Sequence, residues 1–205
     1  MSSNARGTLF VISGPSGSGK GTILKEILAR RSDLFVSVSA TTREPRPGEQ
    51  EGVSYFFVTR ERFLEMIEGG EVLEHASYCG NYYGTPRAEV QKRLDSGVDV
   101  ILEIEVQGAM QIKKSMPEAV LIFVTPPTPE VLRARLTGRG TESPQVIEKR
   151  IETARREYSF IDLYDYVVIN DELEKAADDM LAVLRAGALR AGAAGRAVKE
   201  SFGMN

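Results

Sequence analysis

The chain contains four runs of apolar residues that alternate with segments of helical periodicity. The runs are rich in β-branched and large apolar side chains, which is typical of strands that are buried on both faces of a parallel sheet. They lie at residues 9–12, 98–106, 119–124 and 166–169. Strands that alternate with helices predict an α/β core with a central parallel sheet.

Two of the predicted helices have a recognisable start. Thr128-Pro129-Glu130 supplies a capping hydroxyl, a proline at the first helical position and an acidic first turn. Ser143-Pro144 repeats this pattern. Further helices are predicted at 23–28, from Thr85-Pro86 to about Gly97, and after Asp171.

Between residues 35 and 84 the pattern changes to short alternating or aromatic segments, at 35–39 and 53–58. We therefore expect a mostly β insertion over 35–84, with the core formed by residues 1–34 and 85–205. One short helix is predicted inside the insertion, over 60–68, because Thr59 can cap its start and Gly69-Gly70 can end it. Residues 191–205, with their small side chains and glycines, are expected to form a flexible tail.

Composition restricts the class of protein. With 205 residues, of which 42% are hydrophobic and 27% charged, the chain is long enough for one substantial core with a small insertion. A net charge of -3 argues against a general nucleic-acid or anionic-membrane surface, so anions must be bound by local clusters of arginine and lysine. Cys79 is the only cysteine, which excludes an intramolecular disulfide and fits a reducing cytoplasm. No apolar run is long enough for a signal peptide or a membrane span.

A glycine-rich turn follows the first apolar run and leads directly into a helix. It consists of Gly14, Pro15, Ser16, Gly17, Ser18, Gly19, Lys20, Gly21 and Thr22. The spacing G-x-x-x-x-G-K is typical of a phosphate-binding loop, in which backbone N–H groups and the helix N-terminus attract phosphate and the lysine adds a movable cation. Gly21 occupies the position where serine or threonine ordinarily binds Mg²⁺, and a hydroxyl returns at Thr22. The loop predicts nucleotide binding and leaves the metal ligands open.

Polar residues of the predicted insertion could bind a phosphorylated guanine nucleotide. Arg43 and Arg46 lie in one loop, where two guanidinium groups can converge on a phosphate. Glu74 could accept both N–H groups of the guanine Watson–Crick edge, while O6 needs a donor such as Thr85. Taken alone, the arginines also fit an ordinary solvated loop, and Glu74 an exposed strand position.

Three segments, in this order, resemble the guanylate kinase family in its bacterial form. They are SATTREPR at 39–46, GNYYG at 80–84 and EIEVQG at 103–108. The resemblance extends over about residues 8–171. It implies a P-loop NTPase-type three-layer core with a central parallel sheet, a small mostly β GMP-binding insertion, and a helical lid over about 136–150. It also implies transfer of the γ-phosphoryl group of ATP to GMP, with Mg²⁺ as cofactor.

The resemblance implies roles for particular side chains. Arg43, Arg46, Tyr55 and Tyr83 would hold the phosphate of GMP, and Ser39, Glu74 and Thr85 its base. The lid arginines Arg135, Arg139 and Arg150 would act with Lys20 on the triphosphate and the transition state, and Asn170 would contact the adenine region of ATP.

Glu103 and Glu105 lie two residues apart in the apolar run at 98–106, so a strand there would point both carboxylates to one side. Family members often carry aspartate at both positions. By the resemblance, Glu103 and Thr22 are the candidate Mg²⁺ ligands, Glu103 acting through water, and Glu105 contacts GMP.

Two other interpretations stay open at this point. One is a catalytically inactive guanylate-kinase-like module that binds phosphopeptides. The other is a nucleoside monophosphate kinase of different base specificity, because the sequence of residues 19–22 also resembles the loop of adenylate kinase. We expect a cytoplasmic protein without nucleic-acid or membrane partners, and the sequence leaves open whether it forms a homo-oligomer.

Overall fold

The computed structural model describes residues 6–78, 80–138 and 143–190 with 195, 198–199 and 202–204. This part of the chain contains two β-sheets, seven α-helices and one short 3-10 helix (Ile161–Leu163). In chain order the strands are β1 (Leu9–Ser13), β2 (Leu34–Val36), β3 (Ala40–Thr41), β4 (Phe56–Phe57), β5 (Val72–Tyr78), β6 (Asn81–Pro86), β7 (Asp99–Glu103), β8 (Val120–Thr125) and β9 (Tyr166–Ile169). The helices are α1 (Lys20–Arg30), α2 (Arg60–Glu68), α3 (Arg87–Asp95), α4 (Val106–Ser115), α5 (Pro129–Thr137), α6 (Pro144–Tyr158) and α7 (Leu173–Ala188).

The central sheet is parallel, with strand order β2-β7-β1-β8-β9. In the middle strand, Val11 lies opposite Leu102 of β7 and Leu121 of β8. Alternate residues of each strand enter two separate cores, because successive side chains point to opposite faces. One core contains Phe10 and Ile122 with helices α1 and α7, and the other contains Val11 with helices α3 and α4. These three layers confirm the predicted α/β core.

The second sheet, together with helix α2, forms the insertion. Its strand order is β4-β3-β6-β5, with β3 and β4 parallel and the other pairs antiparallel. Phe63 of α2 is fully buried against it, in a cluster with Ala40, Met66 and Val72. Helix α2 has the predicted bounds, and the Thr59 side chain accepts the hydrogen bond from the Arg62 N–H at its start. Within the described residues, no helix is long and apolar enough to span a bilayer.

The predicted ends of the insertion shift by a few residues. Phe35 and Val36 pair with Val100 and Ile101 in the central sheet, so the chain leaves the core after β2. At the other end, Thr85 and the residue after it complete strand β6 instead of starting a helix. The alternating pattern at 35–39 therefore joins one core strand to a connecting segment.

The predicted strand over 98–106 is too long. Strand β7 ends at Glu103, and Glu105 is the N-cap residue of α4, whose first residue is the buried Val106. The Glu105 carbonyl accepts the Ala109 N–H at 3.0 Å, a hydrogen bond of helical spacing. Because the chain turns after β7, Glu103 and Glu105 do not share a strand, so the predicted strand is wrong beyond Glu103, although both residues line a common cavity.

Helices α5 and α6 frame the predicted lid. Leu132 and Leu136 of α5 pack against Ile147 and Ala154 of α6. Thr128 caps α5 by accepting a hydrogen bond from the Val131 N–H, whereas Ser143 occupies the cap position of α6 without a side-chain cap bond. Residues 139–142 between the two helices, including Arg139, lie outside the described residues, as does most of the predicted tail.

Candidate active site

The glycine-rich loop joins the end of β1 to helix α1. Lys20 is the first residue of the helix, and its Nζ donates to the carbonyl oxygens of Gly14 at 2.6 Å and Pro15 at 3.3 Å. Gly19 at the N-cap adopts a left-handed φ of 90°, and a Cβ there would lie 2.2 Å from the Nδ2 atom of Asn170. Only glycine therefore fits at this turn, which leads the backbone N–H groups into the start of α1.

Asn170 and Arg135 donate hydrogen bonds to the loop from other parts of the chain. The buried Asn170 amide donates to the Ser18 carbonyl at 2.8 Å. The Arg135 guanidinium donates to the Asn170 carbonyl at 2.8 Å and to the Ser18 carbonyl at 3.4 Å. The amide group of Asn170 thus binds the loop itself, and its predicted contact with adenine stays a prediction.

A second predicted lid arginine also reaches the loop. Arg150 of α6 donates from Nη1 to the Ser16 hydroxyl at 3.0 Å. Arg135 and Arg150 therefore contact different residues of the loop, Ser18 and Ser16, from two different helices. The third predicted arginine, Arg139, lies outside the described residues.

A cavity of about 350 Å³ separates the loop from the insertion. Residues from both units line it: Lys20, Ser39, Arg43, Arg46, Glu49, Tyr55, Glu74, Ala76, Tyr83, Gly84, Glu103, Ile104 and Glu105. The structure thus brings together all the residues predicted to bind GMP except Thr85, which lies behind Glu74. The cavity thus combines a lysine of the loop, two arginines and a buried carboxyl group, which suits a phosphorylated ligand whose other end carries hydrogen-bond donors.

The insertion end of the cavity is formed around Glu74, which is only 4% exposed. Its Oε1 atom accepts a hydrogen bond from the Thr85 hydroxyl at 2.7 Å. Burial raises the pKa of Glu74 to about 7, although the Thr85 hydrogen bonds act in the opposite direction. The Thr85 hydroxyl thus supports the Glu74 carboxyl group, and its predicted contact with the base stays a prediction.

The arginine loop contains an acidic residue that the sequence analysis did not select. Nη2 of Arg43 donates to both carboxylate oxygens of Glu49, at 2.8 and 3.0 Å, and the Arg46 N–H donates to the same carboxylate at 2.8 Å. The hydrogen bond from Arg43 lowers the pKa of Glu49, so it is ionised near neutral pH. The Arg43 guanidinium also lies 5.4 Å from the centroid of the Tyr55 ring. The sequence feature that could have identified Glu49 is its position three residues after Arg46 in the same loop.

Acidic side chains line the loop end of the cavity. Burial raises the pKa of Glu103, and the positive charge of Lys20 opposes that shift. Glu157 of α6, which the sequence analysis missed, is within hydrogen-bonding reach of Glu105, and burial together with the Glu105 charge raises its pKa. The sequence did not indicate this contact, because nothing in it pairs a residue near the end of α6 with the turn after β7.

The metal-binding prediction concerns Thr22 and Glu103. Thr22 is exposed on the first turn of α1, and a Cβ at Gly21 would lie 3.9 Å from the nearer Glu103 oxygen. The described residues contain no cluster of three or more potential metal ligands. One carboxylate beside a phosphate-binding loop still fits Mg²⁺, which keeps several waters and uses substrate phosphates as ligands.

Comparison with known proteins gives a consistent result. The family model described as guanylate kinase matches residues 6–187. A guanylate kinase of Desulfitobacterium hafniense (strain Y51) is 52% identical over 180 residues, covering 88% of this chain and 90% of the relative. One of Streptococcus thermophilus (strain CNRZ 1066) is 54% identical over 182 residues, covering 88% and 87%.

A solved structure supports the same relationship. The crystal structure of guanylate kinase from Anaplasma phagocytophilum superimposes with a TM-score of 0.74 at 37% identity, covering 91% of this chain and 88% of that one. The family match over residues 6–187 includes the loop, the insertion and the helices α5 and α6. On the strength of the family match and these relatives, the chain belongs to the guanylate kinase family.

Proposed function

We propose that this chain transfers the γ-phosphoryl group of ATP to GMP, giving ADP and GDP. The observation that carries the proposal is the shared cavity, which has Lys20 of the phosphate-binding loop at one end and the buried Glu74 at the other. Arg43 and Arg46 line the same cavity. Two nucleotides bound from opposite ends would place their phosphates among these cations.

The guanine end relies on an acceptor that matches the base. Guanine presents two neighbouring N–H donors, N1–H and N2–H, and an ionised carboxylate can accept both. Adenine lacks this pair of donors. The Thr85 hydrogen bond fixes one oxygen of Glu74, and Ser39 lines the same cavity.

The phosphate of GMP would be held by Arg43, Arg46, Tyr55 and Tyr83. Glu105 is proposed to contact GMP as well. No general base is needed, because a phosphate monoester with a second pKa of about 6 is already largely ionised at neutral pH. These residues therefore position the GMP oxygen in line with the γ-phosphorus, and positioning is a major part of catalysis in phosphoryl transfer.

The ATP end would be held by the backbone N–H groups of residues 14–22 and by Lys20, with Asn170 close to the adenine side. Arg135 and Arg150, joined by Arg139 from the lid, would face the transferring group. Cations directed at the charge that develops there lower the barrier more than they would in water, because a closed cleft excludes solvent.

Mg²⁺ is the proposed cofactor. Glu103 and Thr22 would hold it, Glu103 through water, and the open space beside Gly21 would admit that hydration. When bound, the ion neutralises charge on the β- and γ-phosphates.

The two other interpretations from the sequence are not favoured. A phosphopeptide-binding module has no need of the intact loop or of the two arginines beside it, and the curated relatives are named guanylate kinases.

The cytoplasmic location and the expected absence of nucleic-acid and membrane partners stay predictions from composition.

The proposal is tested by a coupled assay of ADP formation with Mg²⁺-ATP and, in turn, GMP, AMP, CMP and UMP. We expect GMP to be used at least about 10³-fold more efficiently than AMP, because AMP would leave the buried carboxylate without its donors. Equal or greater turnover of AMP would refute the guanine assignment.

A further inference from the structure

We propose that Gly108 and Gln111 of helix α4 are positioning residues that fix Glu74 in the orientation that selects guanine. The inference rests on the proposed function, because it concerns how the base-binding carboxyl group is held. Neither residue lines the cavity.

Gly108 leaves room for the Glu74 carboxyl group. A Cβ atom on Gly108 would lie 2.2 Å from the Oε2 atom of Glu74 and 2.9 Å from its Cδ atom. Non-bonded atoms do not approach this closely, so any side chain at position 108 displaces the carboxyl group. Gly108 has an ordinary helical position in α4, where alanine is otherwise the better residue. Close approach of Glu74 therefore explains why glycine is present.

Gln111 holds the backbone next to Glu74. Its Nε2 atom donates to the His75 carbonyl at 2.6 Å, and its Oε1 atom accepts from the His75 N–H at 3.1 Å. The pairing of β5 with β6 is irregular between Val72 and His75, the stretch that carries Glu74. One side-chain amide thus satisfies both backbone groups of the residue that follows Glu74.

The two α4 residues act on the same carboxyl group because they lie three positions apart on one helix face. Oε1 of Glu74 is fixed by Thr85, and Oε2 lies against Gly108. Leu73, the residue before Glu74, packs with Ala109 and Ile112 of the same helix. Helix α4 therefore fixes the position and the plane of the carboxylate from behind.

A fixed plane matters most for the exocyclic amino group of guanine. A carboxylate held in the plane of the base accepts from N1–H and N2–H together, whereas a rotated one accepts from N1–H alone. Hypoxanthine has N1–H but no amino group. The ratio of kcat/KM for GMP to kcat/KM for IMP therefore reports on the plane of Glu74.

The first test compares Gly108→Ala and Gln111→Met with the unmodified protein, using GMP and IMP at saturating Mg²⁺-ATP. Loss of one hydrogen-bonded contact corresponds to about 10- to 100-fold in discrimination. We expect kcat/KM for GMP to fall by about that factor and the GMP to IMP ratio to approach one, while the KM for ATP changes less than about twofold. Gln91→Met on α3, whose amide contacts Asp95, is the matched control and should leave the ratio unchanged.

The second test uses Glu74→Asp, which draws the carboxyl group away from position 108. Adding Gly108→Ala to this variant should reduce kcat/KM for GMP much less than the same change does alone, because the steric clash is already removed. The inference would be overturned if the double variant lost kcat/KM for GMP by the product of the two single-variant factors. An unchanged GMP to IMP ratio in Gly108→Ala would also overturn it. If Gly108→Ala fails to fold, as judged by thermal unfolding, an unchanged ratio in Gln111→Met overturns it. An unmodified protein without GMP turnover would instead refute the proposed function.

Discussion

Binding of GMP should depend on pH between about 6 and 8 because of the Glu74 carboxyl group. The side chain is 4% exposed, and burial raises its pKa from 4.5 to about 7. Only the ionised carboxylate can accept hydrogen bonds from both N1–H and N2–H of guanine, since a protonated carboxyl group uses one oxygen as a donor. The competent fraction of the protein therefore increases as the pH rises through 7.

The size of the effect follows from the titration. With a pKa of about 7, roughly one tenth of the Glu74 side chains are ionised at pH 6 and about nine tenths at pH 8. An apparent dissociation constant equals the intrinsic constant divided by the competent fraction. The KM for GMP should therefore be about tenfold higher at pH 6 than at pH 8.

The assay is steady-state ADP formation at saturating Mg²⁺-ATP, with GMP varied at half-unit steps of pH. The phosphate of GMP also titrates, with a pKa of about 6, so Glu74→Gln serves as the matched control. Glutamine keeps the size of the side chain and does not titrate, and any pH dependence left in the variant belongs to the nucleotide or to other groups.

The difference between the two profiles isolates Glu74. We expect that difference to have its midpoint near pH 7. Identical pH profiles in the two proteins would refute the reasoning, and a midpoint near the ordinary value of 4.5 would show that the carboxyl group is not desolvated in solution.

Three further predictions concern stability and the two ends of the cleft. Because the folded pKa of Glu74 is raised, its favourable contribution is present below pH 4.5 and lost as pH rises through 7. Glu74→Gln should therefore be more stable than the unmodified protein at pH 8, by up to about 3 kcal/mol in urea unfolding, with little difference at pH 4; equal stability at pH 8 would contradict this. Lys20→Ala should lower kcat by about 10²- to 10³-fold. The dissociation constant for GMP, measured by calorimetry, should stay within about threefold of that of the unmodified protein. A variant that keeps its turnover would exclude the loop lysine from the reaction. Glu49→Gln should raise the KM for GMP about tenfold with little change in kcat, because Arg43 loses the charged acceptor that orients it; a lower KM would show that Glu49 competes with the phosphate.

The strongest sequence signals were local ones. The apolar runs predicted β1 and β9 closely. Strand β1 is buried on both faces, which leaves an uninterrupted apolar pattern, whereas β9 is an edge strand whose Val167 and Ile169 side chains are exposed. Helix α2 has its predicted bounds, since Thr59 caps one end and Gly69 ends the other. The phosphate-binding loop was recognisable from spacing alone, because its glycines and lysine are close in the chain.

The turn after β7 could not be predicted from the pattern. Ile104 and Val106 are both buried, so the alternation of apolar and acidic residues at 103–106 fits a longer strand as well as a strand end followed by a helix. Phe35 and Val36 pose the same ambiguity at the start of the insertion. In both places burial by tertiary packing, and not local preference, decides where the strand ends.

The contacts that shape the site were hidden because they join distant parts of the chain. The hydrogen bond from the Asn170 amide to the Ser18 carbonyl joins residues 152 positions apart, so the sequence did not show it. The hydrogen bond from Thr85 to Glu74 joins residues of neighbouring strands, and nothing in the sequence indicated it. Gly108 belongs to a motif typical of the family, and only the folded structure brings it against the Glu74 carboxyl group.

The central claim is that the loop binds ATP while the insertion selects GMP, and a competition assay tests it most directly. Mg²⁺-ATP is supplied with equal concentrations of GMP and labelled AMP. GDP and labelled ADP are then separated and quantified, because unlabelled ADP is also formed from ATP in every turnover. The account predicts GDP in at least about 10³-fold excess over the ADP formed from labelled AMP, because only guanine satisfies the buried carboxylate. Comparable amounts of the two products would contradict it.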